Sequence, residues 1–235
     1  MISVAIPTMG RWDFLKESLP VFLAHKSVLE VIVCDETGED VDALLASPLA
    51  ASPKLRLVKN KTRLGIYQNK RKVAGLCTGT YVALLDSDNY FSDTWLDQVA
   101  DAIQARPTSI IASADFKNVD ARTGAVTNPC AAFSGLELDA ASWNAMFQKR
   151  GWNFLLNDGN WVVPRAALAF LPASVKSESL LAADAIYMLR AFVKGGFKVW
   201  YVPELSYIHT VHAGSSWLAT ERDSERIFGN TDWCI

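Results

Sequence analysis

Two aspartates, Asp86 and Asp88, follow an apolar run in the segment TYVALLDSDNYF (residues 80–91). Residues two apart in an extended chain project to the same side, so both carboxylates could converge on one ligand. Two close carboxylates repel each other unless a cation or hydrogen-bond donors neutralise them. Mg²⁺ and Mn²⁺ suit such a site, because they bind one or two carboxylates together with substrate phosphates. The alternative is an acidic turn in which Asp88 caps the following helix.

Strand and helix patterns alternate in the first half of the chain. Four apolar runs predict strands: ISVAIP, EVIVCDE, KLRLVKN and TYVALLD. Three segments have the apolar spacing of helices: RWDFLKESLPVFLAHK, GIYQNKRKVAGLC and SDTWLDQVADAIQAR. We expect a kink or an early end at Pro20 of the first helix, and Ser92 as the N-cap of the third.

This alternation predicts an α/β fold with a mostly parallel central sheet flanked by helices. Ligands of such sheets bind outside the carboxyl ends of the strands. Thr8, Asp35 and the pair of Asp86 and Asp88 all fall at that edge.

The second half of the chain is less regular. It predicts a strand (SIIAS), a hairpin around Thr123-Gly124, a helix capped by Asp139, a strand that turns into a helix near Pro164, a helix (LAADAIYMLRAFVKGG) and a last strand (FKVWYVP). Because no low-complexity linker interrupts the chain, we expect a single domain over residues 1–235, with two functional halves, 1–105 and 106–235.

The composition excludes several classes of protein. Of the 235 residues, 50% are hydrophobic and 20% are charged, and the net charge is −2, which provides no basic field for a nucleic-acid partner. We find neither a signal peptide nor a run of about 18 apolar residues that could cross a membrane. The four cysteines are scattered and fit a reducing compartment. We therefore expect a cytoplasmic protein.

A series of motifs in order carries a family resemblance. SVAIPTMGR is similar to an opening strand and loop, EVIVCDETGED to a second strand that ends in an acid, and NKTRLGIYQNKRKVAGLCTGTYVALLDSDN to a helix that leads to an Asp-x-Asp motif. On these motifs the chain resembles the family-two glycosyltransferases with the GT-A fold, from its first strand to His212.

The resemblance implies that residues 1–105 bind a nucleoside-diphosphate sugar. The implied contacts are Pro7, Thr8, Arg11, Asp35, Arg63, Lys70, Asp86, Ser87 and Asp88. Asp35 would accept hydrogen bonds from the base, although it could instead be a turn residue. Asp88, with His212, would bind Mn²⁺ or Mg²⁺ against the diphosphate. Lys70 would add positive charge, unless NKRK is an ordinary solvated helix face.

The resemblance also implies that residues 106–235 bind the acceptor and supply a base. The usual pair of acids at the start of a late helix is reduced here to Asp184, because Ala183 stands at the first position. Glu178 and Asp158 are the alternative bases. His209 and His212 are three apart in an expected strand, so they should face opposite ways. Candidates on the acceptor side are Asp158, Trp161 and Trp217, with core packing the alternative for the tryptophans.

Together these features predict a metal-dependent, inverting glycosyltransferase of the hexosyltransferase type that acts on a saccharide or a lipid-linked acceptor. We also predict peripheral association with a membrane and a homodimer. One alternative is a non-catalytic module that binds sugar nucleotides or glycans, which the residue Ala183 favours. The other is a sugar nucleotidyltransferase, but that class carries a glycine- and lysine-rich loop where PTMGRWDF has only Gly10.

Overall fold

The computed structural model describes residues 1–150, 160–175, 183–213, 215 and 218. Within these residues ten strands form one sheet, in the order β3-β2-β1-β4-β9-β6-β10-β5, with β7 beside β6 and β8 beside β10. The strands are β1 (Ile2–Thr8), β2 (Val28–Asp35), β3 (Leu55–Lys59), β4 (Tyr81–Leu84), β5 (Tyr90–Phe91), β6 (Ile110–Asp120), β7 (Val126–Thr127), β8 (Glu137–Leu138), β9 (Trp161–Pro164) and β10 (Val199–Val211).

The long strands are mostly parallel, which confirms the predicted α/β class. β1 pairs in parallel with β2 and β4, β2 with β3, and β6 with β10. Almost every residue of β1 and β4 is buried, so these strands read as uninterrupted apolar runs rather than as alternating patterns. β9 runs antiparallel between β4 and β6 and so joins strands from the two halves of the chain.

Helices connect and cover the strands. In the described part of the chain the α-helices are α1 (Trp12–Ala24), α2 (Glu39–Leu45), α3 (Ile66–Gly75), α4 (Trp95–Ala105), α5 (Ala140–Arg150) and α6 (Ala183–Lys194). Their apolar faces enter the same core as the strands: Leu15, Leu19 and Phe22 of α1 are at most 2% exposed. Burial of such side chains is the main stabilising term of the fold, at about 25 cal/mol per Å² of apolar surface.

The predicted early end of α1 at Pro20 and the predicted N-cap of α4 at Ser92 were wrong. α1 continues through Pro20, which lies on its exposed side, where water can bond the carbonyl group that lacks a backbone donor. α4 begins at Trp95, and Ser92 does not cap it with its side chain. Instead the Ser92 carbonyl accepts a hydrogen bond from the Trp95 N–H at 3.0 Å, in the turn that precedes the helix.

The predicted elements of the second half are largely confirmed. β6 and β7 form the hairpin around Gly124, and the Asp139 carboxylate caps α5 by accepting a hydrogen bond from the Ser142 N–H at 2.9 Å. β10 is longer than predicted, because the chain passes Pro203 through an irregularity between Val202 and Ser206 and resumes its pairing with β6. It therefore reaches the edge of the sheet at which β1 and β2 end.

Candidate active site

The acid loop, residues 86–89, follows β4 at the carboxyl edge of the sheet. Ser87 and Asn89 are 8% and 4% exposed, whereas the Asp86 and Asp88 side chains are 23% and 20% exposed. The chain turns at Ser87 and Asp88 instead of staying extended. As a result, the two carboxylates contact different protein partners, and the expected extended conformation was wrong.

Asp86 is held by residues from two distant elements. Lys70 of α3 places its Nζ atom 2.6 Å from Asp86 Oδ1, and the Lys70 side chain is only 2% exposed. Asn160, which precedes β9, accepts a hydrogen bond from the Asp86 N–H at 2.7 Å and donates one to Asp86 Oδ2 at 3.3 Å. Lys70 is therefore a buried partner of the acid loop, not part of a solvated helix face.

Asp88 contacts the loop after β1 and the end of β10. Its Oδ2 atom lies 3.3 Å from Arg11 Nε and 3.4 Å from His212 Nε2. The His212 ring also stacks on Phe14 of α1, with ring centroids 5.5 Å apart. These contacts hold Asp88 and His212 in place. Because about one-fifth of each side chain is exposed, a ligand can still reach both groups.

His209 contacts the other end of the acid loop. Its Nδ1 atom lies 3.0 Å from Asn89 Oδ1, and its ring meets Phe116 edge-on at 5.8 Å. Since β10 ends at Val211, His212 lies beyond the strand, and the two histidines contact neighbouring residues of the loop. A simple alternation of faces along an extended strand does not describe this arrangement.

Asp88 and His212 could hold a divalent cation. The described residues contain no cluster of three or more His, Cys, Asp or Glu side chains that could bind a metal. One carboxylate and one imidazole can nevertheless serve a cation that takes its other ligands from substrate phosphates and water, as Mg²⁺ and Mn²⁺ do. His212 Nε2 lies 3.4 Å from Asp88 Oδ2, so the two groups that would hold such a cation lie side by side.

Asp35, at the end of β2, accepts hydrogen bonds from the segment that follows it, including the first turn of α2. It is fully buried, and its two carboxylate oxygens accept hydrogen bonds from the N–H groups of Thr37 at 3.0 Å and Val41 at 3.1 Å. The neighbouring Glu36 reaches across to the loop before α3, where its Oε2 atom accepts from the Leu64 N–H at 2.6 Å. Glu36 was not among the predicted site residues, although its place directly after the strand end could have indicated it.

Thr8 and the loop after β1 are fastened to Asp40. The Asp40 carboxylate, 1% exposed, accepts hydrogen bonds from Thr8 Oγ1 at 2.6 Å and from the Arg11 N–H at 2.7 Å. A pocket of about 280 Å³ opens beside this contact, lined by Gly10, Arg11, Trp12, Asp13, Phe14, Glu39 and Asp40. Asp40 thus fixes the loop that presents Arg11 to Asp88.

Other predicted residues are placed as follows. Pro7 is half-buried in β1, and Arg63 is exposed on the loop before α3. Trp161 is 1% exposed and packs in the core, and no described residue accepts a hydrogen bond from its indole N–H. Asp184 is the second residue of α6.

Several candidates fall outside what the structure describes. The Asp184 side chain is one of them, and the others are Asp158, Glu178 and Trp217. Their predicted roles stay predictions. Among the described residues, no helix combines the length and the apolar character needed to cross a membrane.

Comparisons with known proteins give the family and the fold of the chain. The model of the family described as "Glycosyl transferase family 2" matches residues 3–168. The chain belongs to this family, and sugar transfer is the class of reaction that the family defines.

Solved structures show the same fold at low sequence identity. TarS (1–349) from S. aureus in complex with UDP-GlcNAc matches with a TM-score of 0.68 and 16% identity, over 91% of this chain and 59% of that TarS chain. The mannosyltransferase PcManGT from Pyrobaculum calidifontis, in complex with GDP-Man and Mn²⁺, matches with a TM-score of 0.64 and 15% identity, over 96% of this chain and 61% of that one. The predicted GT-A fold is therefore confirmed.

A curated relative matches over a shorter stretch. The uncharacterized protein Rv1520 of Mycobacterium tuberculosis is 27% identical over 96 residues, which is 39% of this chain and 28% of the relative. The chain thus spans less than two-thirds of the length of each of these three proteins.

Proposed function

We propose that the chain transfers a sugar, of the hexose type, from a nucleoside diphosphate to a hydroxyl group of a saccharide or lipid-linked acceptor, with a divalent cation and with inversion at the anomeric carbon. The observation that carries the proposal is the meeting of Asp88, His212 and Arg11 at the carboxyl edge of a family 2 fold. These three groups offer a carboxylate ligand, an imidazole nitrogen ligand and the positive charge of a guanidinium group within one small region.

Asp88 and His212 would hold Mn²⁺ or Mg²⁺ together with phosphate oxygens of the donor. A cation bound there would neutralise the charge that develops on the departing diphosphate. Arg11 and the exposed Arg63 would pair with the same phosphates, since a guanidinium group donates two parallel hydrogen bonds to such oxygens. PcManGT, which was solved with GDP-Man and Mn²⁺, supports a metal in this fold.

The nucleoside would lie along the ends of β1 and β2. We place the base beside Thr8 and Glu36 rather than against Asp35, because both oxygens of the buried Asp35 already serve backbone N–H groups of its own loop. Asp86, with Ser87 beside it, would accept hydrogen bonds from hydroxyl groups of the ribose. Pro7 would shape the wall of this site.

The proton of the acceptor hydroxyl would go to Asp184. The hydroxyl oxygen attacks the anomeric carbon, the bond from that carbon to the diphosphate oxygen breaks, and the Asp184 carboxylate takes the proton. Asp184 is the second residue of α6. Asp158 and Trp217 remain acceptor-side candidates, and residues 106–235 would form the acceptor half of one domain.

Nucleotide binding tests the proposal first. Uridine, guanosine and thymidine diphosphates are titrated calorimetrically with and without Mn²⁺, and the corresponding sugar nucleotides are then incubated with the chain to detect slow hydrolysis. We expect tight binding of one diphosphate only in the presence of Mn²⁺, and release of its sugar. Binding without any hydrolysis or transfer would identify a non-catalytic module, and the absence of binding would refute the proposal.

A cytoplasmic location, peripheral contact with a membrane and a homodimer remain predictions. Light scattering and vesicle sedimentation of the purified chain test the last two of them.

A further inference from the structure

Asn160 lies where the pairing of β4 and β9 stops. The last paired residues are Leu84 and Trp161, and Asn160 is the next residue along, opposite the start of the acid loop. It is 5% exposed. Beyond the last backbone pair, the side-chain amide of Asn160 makes the hydrogen bonds to the other chain segment. Its Oδ1 atom accepts from the Asp86 N–H at 2.7 Å, and its Nδ2 atom donates to Asp86 Oδ2 at 3.3 Å. One side chain therefore constrains both the backbone and the carboxylate of Asp86.

Lys70 constrains the same carboxylate from the other side. Its Nζ atom lies 2.6 Å from Oδ1, while Asn160 bonds Oδ2, so the plane of the carboxylate is set by two donors in different directions. A buried ammonium group needs such a partner, because an unpaired charge loses its hydration on burial. Each carboxylate oxygen can accept more than one hydrogen bond, and Asp86 remains 23% exposed.

We infer that Asn160 is a positioning residue for the donor, which acts through Asp86; this inference rests on the proposed function. Lys70 offsets the charge of Asp86, and Asn160 fixes its direction, so Asp86 is prepared to accept hydrogen bonds from a pair of hydroxyl groups. Asp88 is paired with Arg11 and His212, which are about one-fifth exposed rather than buried like Lys70, and it is left to hold the cation. The two acids of the loop thereby have separate tasks, and a residue from the second half of the chain completes the donor site.

Two substitutions of Asn160 test its two hydrogen bonds to Asp86. Asn160→Ala removes both hydrogen bonds and should weaken binding of the preferred nucleoside diphosphate about tenfold, the size expected for losing a hydrogen bond to a charged group. Asn160→Asp keeps the acceptor for the Asp86 N–H but places a second carboxylate against Asp86. Binding should then be weaker still than in Asn160→Ala, because two adjacent carboxylates repel each other.

Asn128, which follows β7 and bonds Asp115 of β6, offers a matched control. Asn128 donates a hydrogen bond to Asp115 Oδ1 at 3.1 Å, so Asn128→Asp creates the same clash of carboxylates away from the acid loop. We expect nucleotide binding by this variant to stay within about twofold of the parent chain. A thermal unfolding curve for each variant shows whether it is folded at the temperature of the titration.

A double-mutant cycle gives the decisive measurement. If Asn160 acts through Asp86, then Asn160→Ala should add almost nothing to the loss of binding caused by Asp86→Ala. Additive losses, or a loss in Asn128→Asp as large as in Asn160→Asp, would overturn the inference and leave the proposed function standing. A parent chain that binds no nucleoside diphosphate, with or without Mn²⁺, would overturn the proposed function and this inference with it.

Discussion

Replacing Glu30 with glutamine should destabilise the fold and change its response to acid. Glu30 lies near the start of β2, and its Oε1 atom accepts hydrogen bonds from Ser3 Oγ at 2.8 Å and from the N–H and hydroxyl groups of Thr78 at 2.7 Å each. Its Oε2 atom lies 2.7 Å from an Arg56 nitrogen. The carboxylate thus joins the starts of β1 and β2 to the segment between α3 and β4 and to β3.

The size of the effect follows from the pKa of this carboxyl group. Burial raises the pKa of Glu30, but the hydrogen bonds from Thr78, Arg56 and Ser3 together outweigh it and lower the pKa from 4.5 to about 2. Because the folded state holds the ionised form more tightly than the unfolded chain does, the stabilisation is complete above pH 4.5 and is lost as the pH falls towards 2. A pKa lowered this far corresponds to a contribution of about 3 kcal/mol to the free energy of unfolding, since a shift of one pKa unit corresponds to about 1.4 kcal/mol.

Urea unfolding of the parent chain and of Glu30→Gln between pH 7 and pH 2.5 tests this value. The variant should be about 3 kcal/mol less stable at pH 7, as an upper value because glutamine keeps part of the hydrogen bonding, and the gap should close as the pH falls below 4.5. Asp120 is the control: Arg122 lowers its pKa to about 2 as well, but on an exposed hairpin. Asp120→Asn should change stability far less, because surface ion pairs contribute little. Equal stability of the parent chain and Glu30→Gln at pH 7 would refute the reasoning.

Further predictions concern the proposed site. Asp88→Ala should abolish the Mn²⁺ dependence of diphosphate binding, and His212→Gln should weaken it, both measured by calorimetry; unchanged metal dependence would contradict the assignment. Glu36→Gln should weaken donor binding by about 1–3 kcal/mol and flatten the preference among bases, whereas Asp35→Asn should lower the melting temperature and keep that preference. Asp184→Asn should lower kcat by roughly 10²–10⁴ with almost unchanged donor affinity, and the acid limb of the rate profile should disappear. Near-normal turnover would move the base elsewhere.

The first half of the fold could be predicted because its signals are local. β1, β2 and β4 are apolar runs that end in polar residues, and the carboxyl edge of a parallel sheet brings those residues together. A single strand β10 that runs through Pro203 could not be predicted in the same way, because a proline ordinarily ends a strand and divides the region into two predicted strands. Pairing with β6 on both sides of the irregularity overrides that local signal.

The candidate site was predictable in its residue types and less so in its contacts. Asp86 and Asp88 were visible in the sequence, but the turn between them, which separates their partners, depends on Lys70, Asn160 and Arg11 from three other segments. No pattern along the chain indicates such tertiary contacts. Asp35 shows the converse: its position at a strand end suggested a ligand contact, whereas its oxygens bond the loop that follows it.

The antiparallel strand β9 has a consequence for how the chain is made. β4, which leads into the acid loop, pairs on one side with β1, but its other neighbour is synthesised only after a long intervening stretch, since Leu84 pairs with Trp161. Until the ribosome has released that segment, β4 is an open edge with exposed N–H and C=O groups, to which another chain could pair. Contacts between such distant segments also slow folding. Nascent chains arrested before Trp161 should therefore depend on chaperones, whereas chains that include Pro164 can close the sheet.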